Sequence, residues 1–102
     1  MSRVVVITGA TSGIGQACAA RFRANEDRLV LIGRRDDRLE DLQKEFGGPE
    51  RVWRCRLDIR DRQAVFDALQ GLPPSFQPID ILVNNAGVAQ GTETVDKCSL
   101  DD

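Results

Sequence analysis

The stretch Val4-Val5-Val6-Ile7-Thr8-Gly9-Ala10-Thr11-Ser12-Gly13-Ile14-Gly15 decides the fold of this chain. Val4 to Thr8 is a continuous β-branched run, the composition of a strand buried on both faces. Glycines follow in the spacing G-x-x-x-G-x-G. After them Ile14, Ala17, Cys18 and Phe22 recur at helical spacing, which predicts a helix over roughly Ile14 to Ala24. A strand, a glycine-rich turn and a helix in that order form a phosphate-binding arrangement. Glycines let backbone approach a pyrophosphate with no Cβ in the way, and the helix start offers unsatisfied N–H groups and a positive dipole end. The residues expected to touch such a ligand are Gly9, Ala10, Thr11, Ser12, Gly13, Ile14 and Gly15, with Thr11 and Ser12 as hydroxyl donors. The bland alternative is a purely structural turn.

Working outward, apolar runs alternate with helical patterns. Leu29 to Ile32 reads as a second buried strand. Asp36 or Asp37 is expected to cap a second helix with the apolar stripe Leu39, Leu42 and Phe46, stopped by Gly47-Gly48-Pro49. From Val52 to Leu57, Trp53, Cys55 and Leu57 alternate with Arg54 and Arg56, as in an edge strand. Asp61 is expected to cap a third helix with the stripe Val65, Phe66 and Leu69. Ile79 to Val83 reads as a fourth strand, and residues 88–102 as loop or a short helix start. The expected fold is α/β: a three-layer, Rossmann-type, doubly wound parallel sheet, β-α-β-α-β-α-β. Its strand order would be 3-2-1-4, with the ligand crevice at the carboxyl ends of strands one and four. Residues 1–102 then form a single half-domain, the first half of such a fold.

Two motifs give the chain a family likeness. Thr8 to Gly15 resembles the cofactor turn of the short-chain dehydrogenases/reductases, and Asn84-Asn85-Ala86-Gly87 resembles that family's NNAG motif, each at the end of a predicted strand. The stretches at 33–42, 57–62 and 72–91 are similar to the branch of NADP-dependent 3-hydroxy acid, or serine-type, dehydrogenases. Glu26 departs from the pattern, since many members carry glycine near that point; Asn25 is expected to take the left-handed conformation instead. The resemblance implies that Asp58 and Ile59 face the adenine ring, the carboxylate accepting from the exocyclic amine and the isoleucine packing on the base. It also implies that Asn85, Ala86 and Gly87 lie beside the adenosine ribose, and that Asn84 braces neighbouring strands. Asp58 as a cap for the third helix is the structural alternative.

Cofactor choice turns on the end of the second strand. An acidic residue there binds the ribose diol of NAD, whereas arginine suits the 2′-phosphate of NADP. This chain has Arg34 and Arg35, so NADP is expected over NAD. Asp36 and Asp37 remain alternative ribose partners.

The rest of the sequence excludes more than it assigns. Lysine and arginine number 14 against 16 acidic residues, a balance with no clustered basic excess for nucleic acid. No apolar run is long enough for a membrane span, and Met1-Ser2-Arg3 leads straight into the first strand without a secretory signal, so a cytoplasmic location is expected. The three cysteines, Cys18, Cys55 and Cys98, match no metal or redox spacing and read as reduced thiols; no metal site is expected. There is no histidine and no tyrosine. The resemblance implies hydride transfer between NADP(H) and a hydroxyl or carbonyl substrate, with a tyrosine in a Tyr-x-x-x-Lys pattern as the acid/base. This chain contains no such tyrosine, so no catalytic residue is assigned, and a small-molecule substrate is expected only where a second half of the fold is supplied. Three readings stay open: part of an NADP-dependent oxidoreductase, a non-catalytic dinucleotide-binding module, or an interaction module that keeps the fold. The fourth strand would leave an apolar edge, so a homo-oligomer is expected.

Overall fold

In the computed structural model, residues 3–85 are described. The element order is β1 (Val4–Thr8), α1 (Gly13–Ala24), β2 (Arg28–Gly33), α2 (Asp36–Glu45), β3 (Val52–Arg56), α3 (Arg62–Gln70), a short 3-10 helix (Pro74–Phe76) and β4 (Ile81–Asn84). The four strands form one parallel sheet in the order β3-β2-β1-β4. This is the α/β doubly wound half-fold expected from the alternation of strand and helix patterns. The expectation for 88–102 lies outside the described residues, as do Ala86, Gly87 and Cys98.

Alternation along the strands divides the core in two. Val5, Ile7, Leu29, Leu31, Val52 and Val83 face α1 and α2, where they meet Cys18, Ala19, Phe22, Leu39 and Leu42. Val4, Val6, Val30, Ile32 and Cys55 face the other way, against Leu72 and Phe76, with Ala68 and Leu69 of α3 packed alongside. Each fully buried Val, Leu, Ile or Phe side chain contributes about 1.5–3 kcal/mol relative to exposure. β3 is an edge strand, as its alternation predicts: among the described residues it pairs only with β2. Cys18 and Cys55 are buried, and burial pushes the Cys55 thiol up from its ordinary value against a smaller opposing hydrogen bond with Trp53.

Four expectations need correction. Neither Asp36 nor Asp37 caps α2. Arg35 occupies the cap position without a side-chain bond, and both aspartates sit in the first turn. Asp36 is held by Arg54 at 2.8 Å, and carboxylates in a first turn already favour the helix dipole. The left-handed residue after α1 is Glu26, at φ 66°, not Asn25 at −89°. The Glu26 N–H donates to the Arg23 carbonyl and the Asp27 N–H to the Phe22 carbonyl, the paired closure that requires a left-handed residue between them. β4 begins at Ile81 rather than Ile79. The lead-in carries Pro78, which has no N–H, and Asp80 instead clamps Val4 through its own N–H and its carboxylate. The stripe on α3 is not buried: Phe66 is 58% exposed, and Phe76 and Leu72 fill the core beneath β1 and β2 in its place. Asp61 caps α3 as read, accepting from the Ala64 N–H.

The amino end of the sheet is held by charge. The Asp27 side chain is almost fully buried and accepts from the Arg3 backbone N–H, from Arg3 Nε and from Arg3 Nη2 at 3.0–3.2 Å. Burial alone would raise its pKa, but the bonds from Arg3 and from Asn25 together hold it below the ordinary value.

Candidate functional site

The opposite, carboxyl end of the sheet carries a cleft of about 440 Å³. It is lined by Gly9, Thr11 and Ser12 from the loop after β1, by Ile32, Gly33, Arg34 and Arg35 at the end of β2, and by Leu57, Asp58, Ile59 and Arg60 after β3. Parallel strands bring all three loops to one edge, although they stand far apart in sequence. A second hollow of about 540 Å³, lined by Arg3, Arg21, Phe22, Ala24 and Asn25, lies at the amino end. It is larger but has no helix start facing it, and its Arg3 is already committed to Asp27.

The loop between β1 and α1 is held by a set of short bonds. The Ala10 N–H donates to the Ile32 carbonyl at 3.1 Å and stitches the loop to β2, while the Ala10 side chain is fully buried. Ser12 is the cap of α1: its Oγ accepts from the Gly15 N–H at 3.1 Å and donates to the Gly9 carbonyl at 3.0 Å. Asn85 reaches across from the end of β4, donating through Nδ2 to the Gly9 carbonyl at 2.9 Å and to Ser12 Oγ at 2.8 Å. Ser12 and Asn85 therefore shape the loop from within. Asn84 ties the neighbouring strands, accepting at Oδ1 from Thr8 Oγ1 at 3.1 Å.

Two glycines of this loop serve different needs. A Cβ on Gly15 would run into the Gly9 carbonyl oxygen and lie 2.8 Å from Ala10 Cα, so the fold itself demands glycine there. A Cβ on Gly13 would meet nothing within 4 Å. Gly13 is the first helical residue, and among the described residues neither its N–H nor that of Ile14 has a partner. Two open N–H groups at a helix start, beside a backbone face with no side chain on it, form a cradle for an oxyanion. Ile14 is partly exposed on the same turn. The donor set fits the pyrophosphate of a dinucleotide.

The far wall of the cleft is cationic. Arg34 and Arg35 are exposed where β2 ends. Arg35 lies 3.6 Å from Asp37, a loose pair; Arg34 makes no hydrogen bond among the described residues, and its charge reaches Asp58. Asp58 and Ile59 form the third side, with Ile59 packed against the second core cluster. The Arg60 guanidinium and backbone N–H hold the Asp58 carboxyl down to about 2, with a smaller contribution from Arg34. Thus Gly9, Thr11, Ser12, Arg34, Arg35, Asp58 and Ile59 line one cleft. Gly13, Ile14 and Gly15 form its helix start, while Asn85 stands behind the loop; Ala86 and Gly87 lie outside the described residues. Sequence reasoning missed Arg60. The signal was present in Asp58-Ile59-Arg60, where a guanidinium two residues from a carboxylate can fold back on it.

Comparison with known proteins agrees with this geometry. The family model for short chain dehydrogenases matches residues 3–102. Serine 3-dehydrogenase of Rhizobium radiobacter is 47% identical over 102 residues, which cover 100% of this chain and 40% of that protein. The NADP-dependent 3-hydroxy acid dehydrogenase of Salmonella typhi is 42% identical over 99 residues, covering 97% of this chain and 39% of that protein. The closed form of a serine dehydrogenase complexed with NADP+ superposes with a TM-score of 0.74 at 39% identity, over 80% of this chain and 32% of that one. The chain thus spans about two fifths of the length of the curated relatives it matches. With the parallel sheet, the capped glycine loop and a match along residues 3–102, the chain belongs to the short-chain dehydrogenase/reductase family.

Proposed function

We propose that this chain is the NADP-binding portion of an oxidoreductase that moves a hydride between NADP(H) and a hydroxyl or carbonyl carbon, with 3-hydroxy acids as the substrate class. The observation that carries the cofactor choice is the pair Arg34 and Arg35 on the cleft wall opposite the glycine loop, with Arg34 free of hydrogen bonds among the described residues. A guanidinium is permanently charged and presents a planar fork of donors to a 2′-phosphate. The relatives named NADP-dependent and the NADP+ complex support the same choice. In this reading the Gly13 and Ile14 N–H groups hold the pyrophosphate. Gly9, Ala10, Thr11, Ser12 and Gly15 shape the loop around it, and Asp58 and Ile59 take the adenine. Asn85 fixes the loop, with Ala86 and Gly87 beside the ribose.

NADP supplies or accepts the hydride when bound; the residues of this chain bind and orient its adenosine and pyrophosphate end. They do not supply the proton. The chain has no tyrosine and no histidine; of its two lysines, Lys44 points outward from α2, paired loosely with Glu40 at 3.7 Å, and Lys97 lies outside the described residues. General acid/base catalysis contributes typically about 10² to 10⁴ in rate and needs a group within hydrogen-bond reach of the substrate. We therefore infer that these 102 residues alone bind cofactor without turning over substrate. Among the described residues no helix is long and apolar enough to cross a membrane.

The experiment is a calorimetric titration of Arg34→Ala with NADP and with NAD. A charge-assisted hydrogen bond contributes about 1.5–3 kcal/mol, so losing it weakens NADP binding roughly tenfold to a hundredfold. NAD binding should stay within about twofold. An equal loss for both cofactors would refute the 2′-phosphate role.

A further inference from the structure

Arg60 closes the third side of the cleft, and its position bears on which base the cleft reads. Its backbone N–H donates to Asp58 Oδ1 at 2.9 Å, its Nε to Oδ1 at 3.1 Å and Oδ2 at 3.3 Å, and its Nη2 to Oδ2 at 2.8 Å. A carboxylate has about four acceptor positions, and Arg60 occupies both oxygens twice. An incoming amine can bond Asp58 only as part of this grip opens. Opening is easy, because the Arg60 side chain is 79% exposed and surface ion pairs of this kind hold weakly. Only Nε and Nη2 of the guanidinium are engaged, so Nη1 stays available as a donor even while the pair is closed.

The cleft wall here therefore carries an acceptor and a donor side by side, above the apolar surface of Ile32, Leu57 and Ile59. A flat base lying on that surface would present its polar edge to both. We propose that Arg60 is a second reader of the purine 6-position: Asp58 accepts from a 6-amino group and Arg60 donates to a 6-oxo group, so the cleft takes hypoxanthine as well as adenine dinucleotides. A carboxylate standing alone meets the 6-oxo oxygen as acceptor against acceptor and keeps only the neighbouring N1–H as a donor on that edge, so it favours the 6-amino base. With Arg60 hinged on the same carboxylate, a small rotation replaces acceptor by donor. The inference rests on the reading of this cleft as the NADP site.

The test measures dissociation constants by calorimetry for NADPH and for reduced nicotinamide hypoxanthine dinucleotide phosphate. The proteins are the 102-residue chain and its Arg60→Met and Arg60→Lys variants, each checked for an unchanged thermal midpoint. The wild type is expected to bind the two ligands within about tenfold of each other. Arg60→Met, which keeps length and loses every side-chain donor, should weaken the hypoxanthine ligand relative to NADPH tenfold or more. Arg60→Lys should recover part of that loss. A purely structural role for Arg60 would move both affinities together, and a ratio unchanged in Arg60→Met overturns the inference while leaving the NADP site intact. Failure of the wild type to bind either ligand overturns the NADP site and this inference with it.

Discussion

Gly13 and Gly15 stand two residues apart in one loop, and the structure separates their purposes sharply enough to test. Gly15→Ala places a methyl group against the Gly9 carbonyl oxygen and 2.8 Å from Ala10 Cα, both backbone atoms that cannot rotate away. Ala10 is anchored to Ile32, and Gly9 accepts from both Ser12 and Asn85, so relief requires moving the whole loop. Overpacking of this kind destabilises by about 1–3 kcal/mol. At roughly 4–8 °C per kcal/mol for a domain of this size, the thermal midpoint should fall by at least 4 °C. Gly13→Ala meets no atom within 4 Å, and its backbone is not in the left-handed region. Alanine there is neutral or stabilising by up to about 1 kcal/mol, through restriction of the unfolded chain and better helix propensity. The same methyl adds bulk to the residue that carries one of the two open N–H groups, in space that the cradle reading reserves for a pyrophosphate oxygen. Losing one such contact weakens binding about tenfold to a hundredfold. Differential scanning fluorimetry and calorimetric NADPH titration on the two variants give the comparison. A Gly13→Ala chain that melts normally and binds NADPH like the wild type would refute the cradle.

Other outcomes follow from single residues. Glu26→Gly should raise stability by about 1 kcal/mol, because a non-glycine residue at φ 66° carries a strain of roughly 1–2 kcal/mol, partly offset by the greater freedom of glycine when unfolded; chemical denaturation measures it. Asp27→Asn should cost about 1–3 kcal/mol at neutral pH. Because the folded pKa of Asp27 lies below its unfolded value of 3.8, its contribution is complete above that value and is lost as pH falls through the folded pKa. The gap between wild type and Asp27→Asn should therefore shrink in urea melts taken below about pH 4, and a gap that widens there would contradict the ion pair. Purified chain should show no NADPH oxidation with serine-type 3-hydroxy-acid-derived carbonyl compounds, and turnover at an ordinary dehydrogenase rate, with contaminating enzyme excluded by mass, would reveal an unassigned acid/base. Sedimentation at tens of micromolar should show a dimer or larger species; a monodisperse monomer would count against assembly through the β4 edge.

What could be read in advance divides by the range of the interactions concerned. β1 and the glycine loop were legible because both signals are local: an unbroken β-branched run, then glycines at a helix start. Asp61 was legible as a cap because its carboxylate bonds a backbone N–H three residues on. Asp36 looked equally good by that rule and failed, because Arg54, eighteen residues away on β3, holds its carboxylate at 2.8 Å. Asp27 gave no signal at all, since its partner Arg3 is brought to it by the pairing of β1 with β2. Glu26 misled for another reason. Left-handed backbone is usually announced by glycine or asparagine, and Asn25 stood next to it. The hydrogen-bond closure of α1 fixes which of the two must turn, and that depends on where the helix ends.

α3 and β4 show how the same reasoning extends to assembly. Val65, Phe66 and Leu69 keep helical spacing, yet only Leu69 packs into the core, together with Ala68. The space beneath β1 and β2 is taken by Leu72 and Phe76, which flank Pro73 and Pro74 in a segment with no helical or strand period to announce burial. Phe66 is left 58% exposed and Leu82, on the same side of the sheet as Val6, 59% exposed. β4 pairs with β1 on one side, and among the described residues no strand pairs with its other side. An unpaired strand edge beside exposed apolar side chains is a surface that other polypeptide tends to cover. Burying Phe66 and Leu82 would each contribute about 1.5–3 kcal/mol, a substantial share of the total stability of a domain this small. Replacing both by polar residues separates the two consequences. If the surface drives assembly, Phe66→Gln with Leu82→Thr should yield a monomer of unchanged or higher solubility whose NADPH affinity is intact, because the cofactor cleft is built from the carboxyl ends of β1, β2 and β3 and uses neither side chain.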